Sequence, residues 1–261
     1  MINVSEGRRP AAIQRLTRAA GDALLDVHSD PHHHRSVRTV AGEDAPRAIA
    51  EVAVAELDLA EHQGVHPRFG VLDVVPFVPV PGSTATLDDA VAARDRFATW
   101  AGDSLALPCF LYGPERSLPD VRRGAFGTLH PDAGPPHPHP TAGAAAVGAR
   151  MALLAYNLWL ADHDIDVARQ VAQGLRGEHV RALGLRVGDG AQVSMNLLDP
   201  LTVGPAAIYD RVAAEVTIAR AELVGLAPRA VLDAVPRERW TELDLAADRT
   251  IEARLERLGA G

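Results

Sequence analysis

The stretch 124–143 constrains the fold more than any other part of the chain. Gly127, Pro131, Gly134, Pro135, Pro136, Pro138 and Pro140 follow one another closely there. Proline fixes φ and removes an amide donor, and glycine adds backbone freedom, so neither a helix nor a central strand can run through most of the stretch. A chain of 261 residues must therefore build its regular structure on either side of it. Irregular stretches of this length inside compact proteins are either functional or disordered. The patterned sequence on both flanks points to a linker or a ligand loop.

On the N-terminal side, residues 10–20 carry apolar positions at helical spacing, and residues 23–27 read as a strand entered through Gly21. A second strand covers 35–41. Asp44 and Pro46 mark a helix start with a side-chain cap, and Ile49, Ala53, Leu57 and Ala60 carry its stripe to near Gly64. Residues 70–80 are extended, their late prolines predicting a sheet edge or an exit from the sheet. A helix over 88–101 and a strand over 106–112 follow. On the C-terminal side the reading is a strand over 151–160, a helix over 165–175, and strands over 181–187 and 192–198 joined at Asp189 and Gly190. A helix over 205–221, a strand over 222–226 and a helical tail from Pro236 complete it. Strand-helix-strand-strand-helix-strand is the order of a ferredoxin-like unit. A short strand at residues 2–4 gives the first half the same order plus one helix and one strand. The predicted class is α+β: two ferredoxin-like α/β subdomains, residues 1–150 and 151–261, packed around a ligand cleft.

Composition narrows the chemistry. All 26 basic residues are Arg, which excludes lysine Schiff bases and a Gly-Lys-Ser/Thr phosphate loop. A formal net charge of −8 argues against a nucleic-acid partner. The single Cys109 in an apolar run predicts a buried, inert thiol and a reducing compartment. No stretch approaches about 18 uninterrupted apolar residues, and no leader-like segment opens the chain, so no membrane association and a cytoplasmic location are predicted. Of 11 histidines, His32, His33 and His34 are consecutive, His137 and His139 lie in the proline stretch, and His62 and His66 bracket Gly64. Consecutive side chains cannot all face one ion and no His-Glu-x-x-His pattern occurs, so no metal is expected. His66 sits in a tight crossing from a helix end to a strand, where an imidazole serves either as a reactive group or as a hydrogen-bonding turn residue. Arg35, Arg38, Arg68, Arg122 and Arg123 suit bidentate grips on carboxylates, or plain solvation. Asp26 and Asp30, at a strand end, suit orientation of an imidazole, an amino-group contact or strand termination.

Several segments, taken in order, resemble the formiminotransferase family, the glutamate formimidoyltransferase half of formiminotransferase-cyclodeaminase. They are Asn3-Val-Ser-Glu-Gly-Arg8, Leu24-Leu-Asp-Val27 with Arg35-Ser-Val37, Gly64-Val-His-Pro-Arg-Phe-Gly70 continuing to Phe77, Leu111-Tyr-Gly113, residues 143–150 with Ala155-Tyr-Asn157, Val193-Ser-Met-Asn-Leu-Leu-Asp199 and Glu222-Leu-Val-Gly225. The resemblance spans essentially the whole chain. It implies two subdomains enclosing a tunnel for tetrahydrofolate, a homodimer, and transfer of a formimino group from N-formimino-L-glutamate to the folate in histidine degradation. His66 matches the family's catalytic histidine, expected to act as general acid and base. Gly134, Pro135, Pro136, His137, Pro138, His139, Pro140, Thr141, Ala142 and Gly143 match its folate-binding segment. Asp26, Asp30, Arg35, Arg68 and Asn196 are the expected substrate-binding residues. With no cyclodeaminase domain after Gly261, a separate protein is expected to complete the deamination. The chain departs from the family pattern at His28 and His34, where many members have an acidic residue and an asparagine, and at Val65, where some have glutamate. Either Asp26 or Asp30 supplies the missing carboxylate, or the chain uses another one-carbon donor or binds folate without turnover.

Overall fold

A computed structural model describes residues 1–65 and 67–259. The chain divides into two compact units, Met1–Met151 and Ala152–Gly261, each with its own sheet and core.

The first unit runs β1 (Ile2–Val4), α1 (Pro10–Ala19), β2 (Leu24–Asp30), β3 (Arg35–Val40), α2 (Asp44–Glu56) and β4 (Leu72–Phe77). These strands lie in the order β2-β3-β1-β4 with antiparallel neighbours, the βαββαβ arrangement expected from the sequence. Then come α3 (Leu87–Leu105), β5 (Cys109–Tyr112), α4 (Leu118–Gly124) and β6 (Ala145–Ala149), with β6 inserted between β4 and β5 and parallel to both. The addition is two helices and two strands, where the sequence reading has one of each. β6 escapes a propensity reading because Ala145, Ala146, Gly148 and Ala149 are poor strand formers. All five of its residues are buried, and a strand covered on both faces accommodates small side chains where neighbours come close.

α3 opens on a capping box between Thr86 and Asp89 and ends where Ala106 turns left-handed, with φ +48°. Its Ala90, Phe97 and Ala101 join Ala12 and Leu16 of α1 and Ile49 and Ala53 of α2 over one sheet face. On the other face α4 packs Val121 against Val74, Phe110 and Ala146. The expected side-chain cap at Asp44 is not formed: Glu43 is the N-cap residue, with no side-chain cap bond, and Asp44 is the first helical residue. There its carboxylate complements the positive end of the helix. The late prolines mark the exit from the sheet, β4 ending at Phe77 ahead of Pro79 and Pro81, but they do not place it at an edge. β4 is central, and Pro76 is tolerated because its carbonyl side faces Met1, where the pairing of β1, which begins at Ile2, has run out.

The second unit runs β7 (Leu154–Leu160), α5 (Ile165–Leu175), β8 (Val180–Val187), β9 (Gly190–Leu197), α6 (Pro205–Ala213) and β10 (Ile218–Leu223), in the antiparallel order β10-β7-β9-β8. α5 and α6 bury Ala168, Val171, Ile208 and Val212 against Leu158, Val193 and Leu223 on one face. α6 stops well short of residue 221, because the β-branched Val216, Thr217 and Ile218 lead into β10 and its pairing with β7. The predicted continuous helical tail is broken into α7 (Arg229–Asp233), 3₁₀ turns and α8 (Ile251–Arg257). The backbone between them is diverted onto the sheet: Tyr156 Oη donates to Leu243 O at 2.8 Å, and Asp244 Oδ2 accepts the Leu223 N–H at 2.8 Å. Among the described residues, no helix is long and apolar enough to cross a membrane.

Gly148 lies under the ring of Tyr112, where an added Cβ would fall 2.1–2.5 Å from ring carbons. Gly148→Ala is therefore expected to destabilise the chain by about 1–3 kcal/mol through overpacking, measured by denaturant unfolding.

Candidate functional site

The site begins with an irregularity in the sheet. Between β1 and β4 the register slips: Asn3 faces Val74, yet Val4 faces Leu72. The extra residue is Asp73, and a bulge of this kind re-aims a side chain. Its carboxylate is fully buried. Oδ2 accepts Arg35 Nη1 and Arg122 Nη2, each at 2.7 Å, and Oδ1 accepts the Phe69 N–H at 3.0 Å. Arg35 Nε donates to Asn3 Oδ1 at 3.2 Å, and the Arg122 guanidinium lies 5.8 Å from the centre of the Phe69 ring. Burial works to raise the Asp73 pKa, but the two guanidinium groups outweigh it and hold the carboxyl below its ordinary range. On the neighbouring strands Tyr112 lies over Gly148, and Arg150 follows two residues later. Burial raises the Tyr112 pKa, opposed by Arg150 and Arg122.

A second cluster gathers histidines. In the turn between β2 and β3, Asp30 Oδ1 accepts the amides of His32 and His33 at 2.7 and 2.8 Å, and Oδ2 lies 3.2 Å from His33 Nδ1. Burial opposes ionisation of Asp30, yet the His33 ring and these amides hold it well below the usual carboxylate range. His34, at φ +50°, stacks on His62 with ring centroids 4.2 Å apart, and His62 Nε2 donates to His34 O at 2.6 Å. His34 Nε2 is 3.2 Å from Glu6 Oε1. Glu6, itself buried, accepts the Arg8 and Arg9 amides at 2.8 and 2.9 Å and Arg9 Nε at 2.5 Å. Burial pushes the Glu6 pKa up, but these donors prevail and lower it to about 2. Burial takes His62 down to about 4, against the pull of the His34 carbonyl, and also lowers His34. Both rings are therefore neutral near pH 7. A cavity of about 160 Å³ opens here, lined by Ser5, Glu6, Arg8, Arg9, His34 and His62.

The two clusters hold opposite ends of the segment 62–70. At one end His62 is fixed by His34; at the other Phe69 is fixed by Asp73, and Ser5 Oγ donates to Gly70 O at 2.8 Å. Arg68 closes the turn itself, donating from Nη1 to Gly64 O at 2.9 Å and from Nη2 to His62 O at 2.8 Å. Gly64 must be glycine because a Cβ would come within 2.3 Å of His33 O. His66, the catalytic residue implied by the resemblance, falls outside the described residues.

The proline stretch packs against this segment. His139 and Gly143 exchange backbone hydrogen bonds at 2.8 and 3.0 Å, while Thr141 O and Ala142 O accept Leu59 N and Val71 N at 2.8 and 2.9 Å. His139 Nδ1 accepts the amides of Ala142 and Thr141 at 3.0 and 3.3 Å. Gly134 and Gly143 take φ of +82° and +71°, and Pro136, His137 and Pro138 form an exposed tip. Of the residues expected at a substrate site, Arg35, Arg68 and Asp30 are thus built into the two clusters. Asp26 is half-buried on β2 opposite Thr39. Asn196 is exposed on β9 of the second unit, whose sheet face away from α5 and α6 also holds Glu222, accepting Trp159 Nε1 and Asn157 Nδ2 at 2.9 and 3.2 Å. Sequence reasoning missed Asn3, Glu6, Asp73, Tyr112 and Arg150. The available signal was Asp73, a lone charge inside the apolar run of β4. Cys109 is buried, its thiol pushed up to about 12 by burial. Among the described residues, no three His, Cys, Asp or Glu side chains converge as a metal set.

A base whose folded pKa lies below its ordinary value takes up fewer protons folded than unfolded in the interval between. Stability contributed by neutral His62 is therefore lost as pH falls from 6.5 towards 4. Thermal melts across that interval are expected to show a declining midpoint, with a flatter slope in His62→Gln; an unchanged slope would remove His62 as its source.

Comparison with known proteins follows the same lines. Residues 1–150 match the formiminotransferase domain, N-terminal subdomain. The chain is 35% identical over 268 residues to the glutamate formimidoyltransferase of Streptococcus pyogenes serotype M1, covering 88% of this chain and 89% of that protein. A glutamate formimidoyltransferase of Thermoplasma acidophilum is 30% identical over 268 residues, 88% of each chain. The formimidoyltransferase-cyclodeaminase of Sus scrofa is 34% identical over 275 residues, 89% of this chain and 50% of that protein, so the chain spans about half the length of this fused relative.

Proposed function

The chain belongs to the formiminotransferase family, and from that premise we propose that it is a glutamate formimidoyltransferase, moving a formimino group from N-formimino-L-glutamate to tetrahydrofolate. The observation that carries this reading is the anchored segment 62–70. Its sequence is the family's His-Pro-Arg block, and both of its ends are fixed by buried polar clusters. Ends fixed in this way suit the orientation of two substrates against a catalytic side chain.

In the reaction the N5 secondary amine of the folate attacks the amidine carbon, and a tetrahedral intermediate forms. The bond from that carbon to the glutamate nitrogen then breaks. One proton leaves N5 and one is delivered to the departing amine, so a group that accepts and returns a proton near neutral pH balances the exchange. His66 is the proposed carrier. Residues 134–143 are proposed to bind the folate, and Asp26, Asp30, Arg35, Arg68 and Asn196 are the proposed substrate-binding residues. Products are glutamate and 5-formiminotetrahydrofolate, the latter a substrate for a cyclodeaminase. The setting proposed is a homodimer in the cytoplasm, serving histidine degradation and one-carbon metabolism.

The departures at His28, His34 and Val65 favour a second reading, a changed one-carbon donor on the same folate site or folate binding without turnover. Purified protein is expected to form the folate adduct from tetrahydrofolate and formiminoglutamate, followed by absorbance. His66→Ala is expected to abolish turnover while folate binding by calorimetry stays within about twofold. Equal loss of both would remove His66 from the proton-transfer role, and folate binding by the natural chain without adduct would select the second reading.

A further inference from the structure

The bulge side of the first sheet carries more positive charge than it neutralises. Arg35 and Asp73 balance each other at 2.7 Å, but Asp73 also takes Arg122 at 2.7 Å, and one carboxylate neutralises only one of the two. Arg150 adds a third guanidinium. Strand register puts it on the same face: Val74 pairs with Ala146, and Gly148 pairs with Pro76 and Tyr112, so alternation along β6 carries Ala146, Gly148 and Arg150 towards Phe110 and Tyr112. Among the described residues no carboxylate pairs with Arg150; its Nη1 donates to Met151 O at 2.9 Å. The Tyr112 hydroxyl lies within electrostatic reach of Arg150, Arg122 and Asp73. Partly buried charge of one sign, held on a helix and at a strand end and left in excess, is a site prepared for an ion of the other sign.

We propose that Arg122, Arg150 and the Tyr112 hydroxyl form the socket for the α-carboxylate of the amino-acid donor. The assignment rests on the formimino-transfer reading and adds which end of the donor is held, and by what. In N-formimino-L-glutamate only the substituted nitrogen and one carbon separate the reacting amidine carbon from the α-carboxylate, whereas the γ-carboxylate lies two methylenes further away. A folate tail is further still from its reacting nitrogen. The socket shares Asp73 with Phe69, three residues beyond His66 in sequence. A carboxylate next to the reacting bond is thus the one whose grip belongs beside this segment. Gripping it through two guanidinium groups and a hydroxyl would also fix the direction of the donor's scissile carbon–nitrogen bond.

The test compares two donors on purified protein, N-formimino-L-glutamate and N-formimino-4-aminobutyrate, which lacks the α-carboxylate. The natural chain is expected to prefer the first by about 10- to 100-fold in kcat/KM. Arg150→Gln is expected to lose that preference through the donor KM, leaving the KM for tetrahydrofolate within about twofold, with partial recovery in Arg150→Lys. Tyr112→Phe, which keeps the ring over Gly148, is expected to give a smaller loss in the same direction. Equal losses on both donors, or a rise in the folate KM alone, would overturn the socket. Calorimetry with L-glutamate and 4-aminobutyrate separates this inference from the activity. In a chain showing no transfer, glutamate binding that Arg150→Gln weakens at least about tenfold still supports the socket. Absence of glutamate binding to the natural chain overturns it.

Discussion

One buried carboxylate organises the first unit. Asp73 occupies the bulge opposite Val4, and without the bulge, alternation along β4 would point it into the apolar face packed by α1, α2 and α3. Turned to the other side, it meets two guanidinium groups brought by β3 and α4, and an amide from the segment that leads into its own strand. Two pieces of chain distant in sequence, and a nearer one, thus converge on one side chain. Buried ionic groups contribute less to net stability than their Coulomb attraction suggests, because each is stripped of water. Their strength is directional: a fork of N–H donors on a carboxylate tolerates little displacement. The triad is better understood as a device that fixes position than as a source of stability.

The same economy shapes the histidine side. Glu6 is held ionised by two backbone amides and Arg9, and it faces His34, which in turn stacks on His62. Neither ring needs a charge for these contacts, and burial disfavours one. Of the departures that the resemblance implies at His28, His34 and Val65, the one at His34 has been absorbed into structure. His34 packs against a segment whose own sequence, from Gly64 to Gly70 with the exception of Val65, follows the family pattern.

Much of this was legible in the sequence, and what was not has physical reasons. The doubled βαββαβ order could be read because Ile49 and Ala53, or Val171 and Leu175, recur at helical spacing, and because Asp189-Gly190 marks a hairpin. β6 was illegible because alanine and glycine carry no strand signal; only its burial between β4 and β5 makes it a strand. The end of α6 was misplaced because alanines favour a helix locally, while pairing of β10 with β7 claims Ile218 onward. In the site, residues 134–143 announced themselves through proline, and Arg35 and Arg68 through their neighbours. Asp73 showed only as a lone charge in an apolar run, and Arg150 not at all, since a bulge and a shared strand face exist only once register is set.

Arg68 shows where the ordering of this segment takes place. Its guanidinium holds the carbonyls of Gly64 and His62, six residues at most from its own position, so the turn is tied by a side chain that the turn itself contains. Freedom of the Arg68 side chain and of the backbone at His62 and Gly64 is thereby given up when the chain folds. Were the proposed donor to bind beside these groups, its association would find them with little conformational entropy left to surrender.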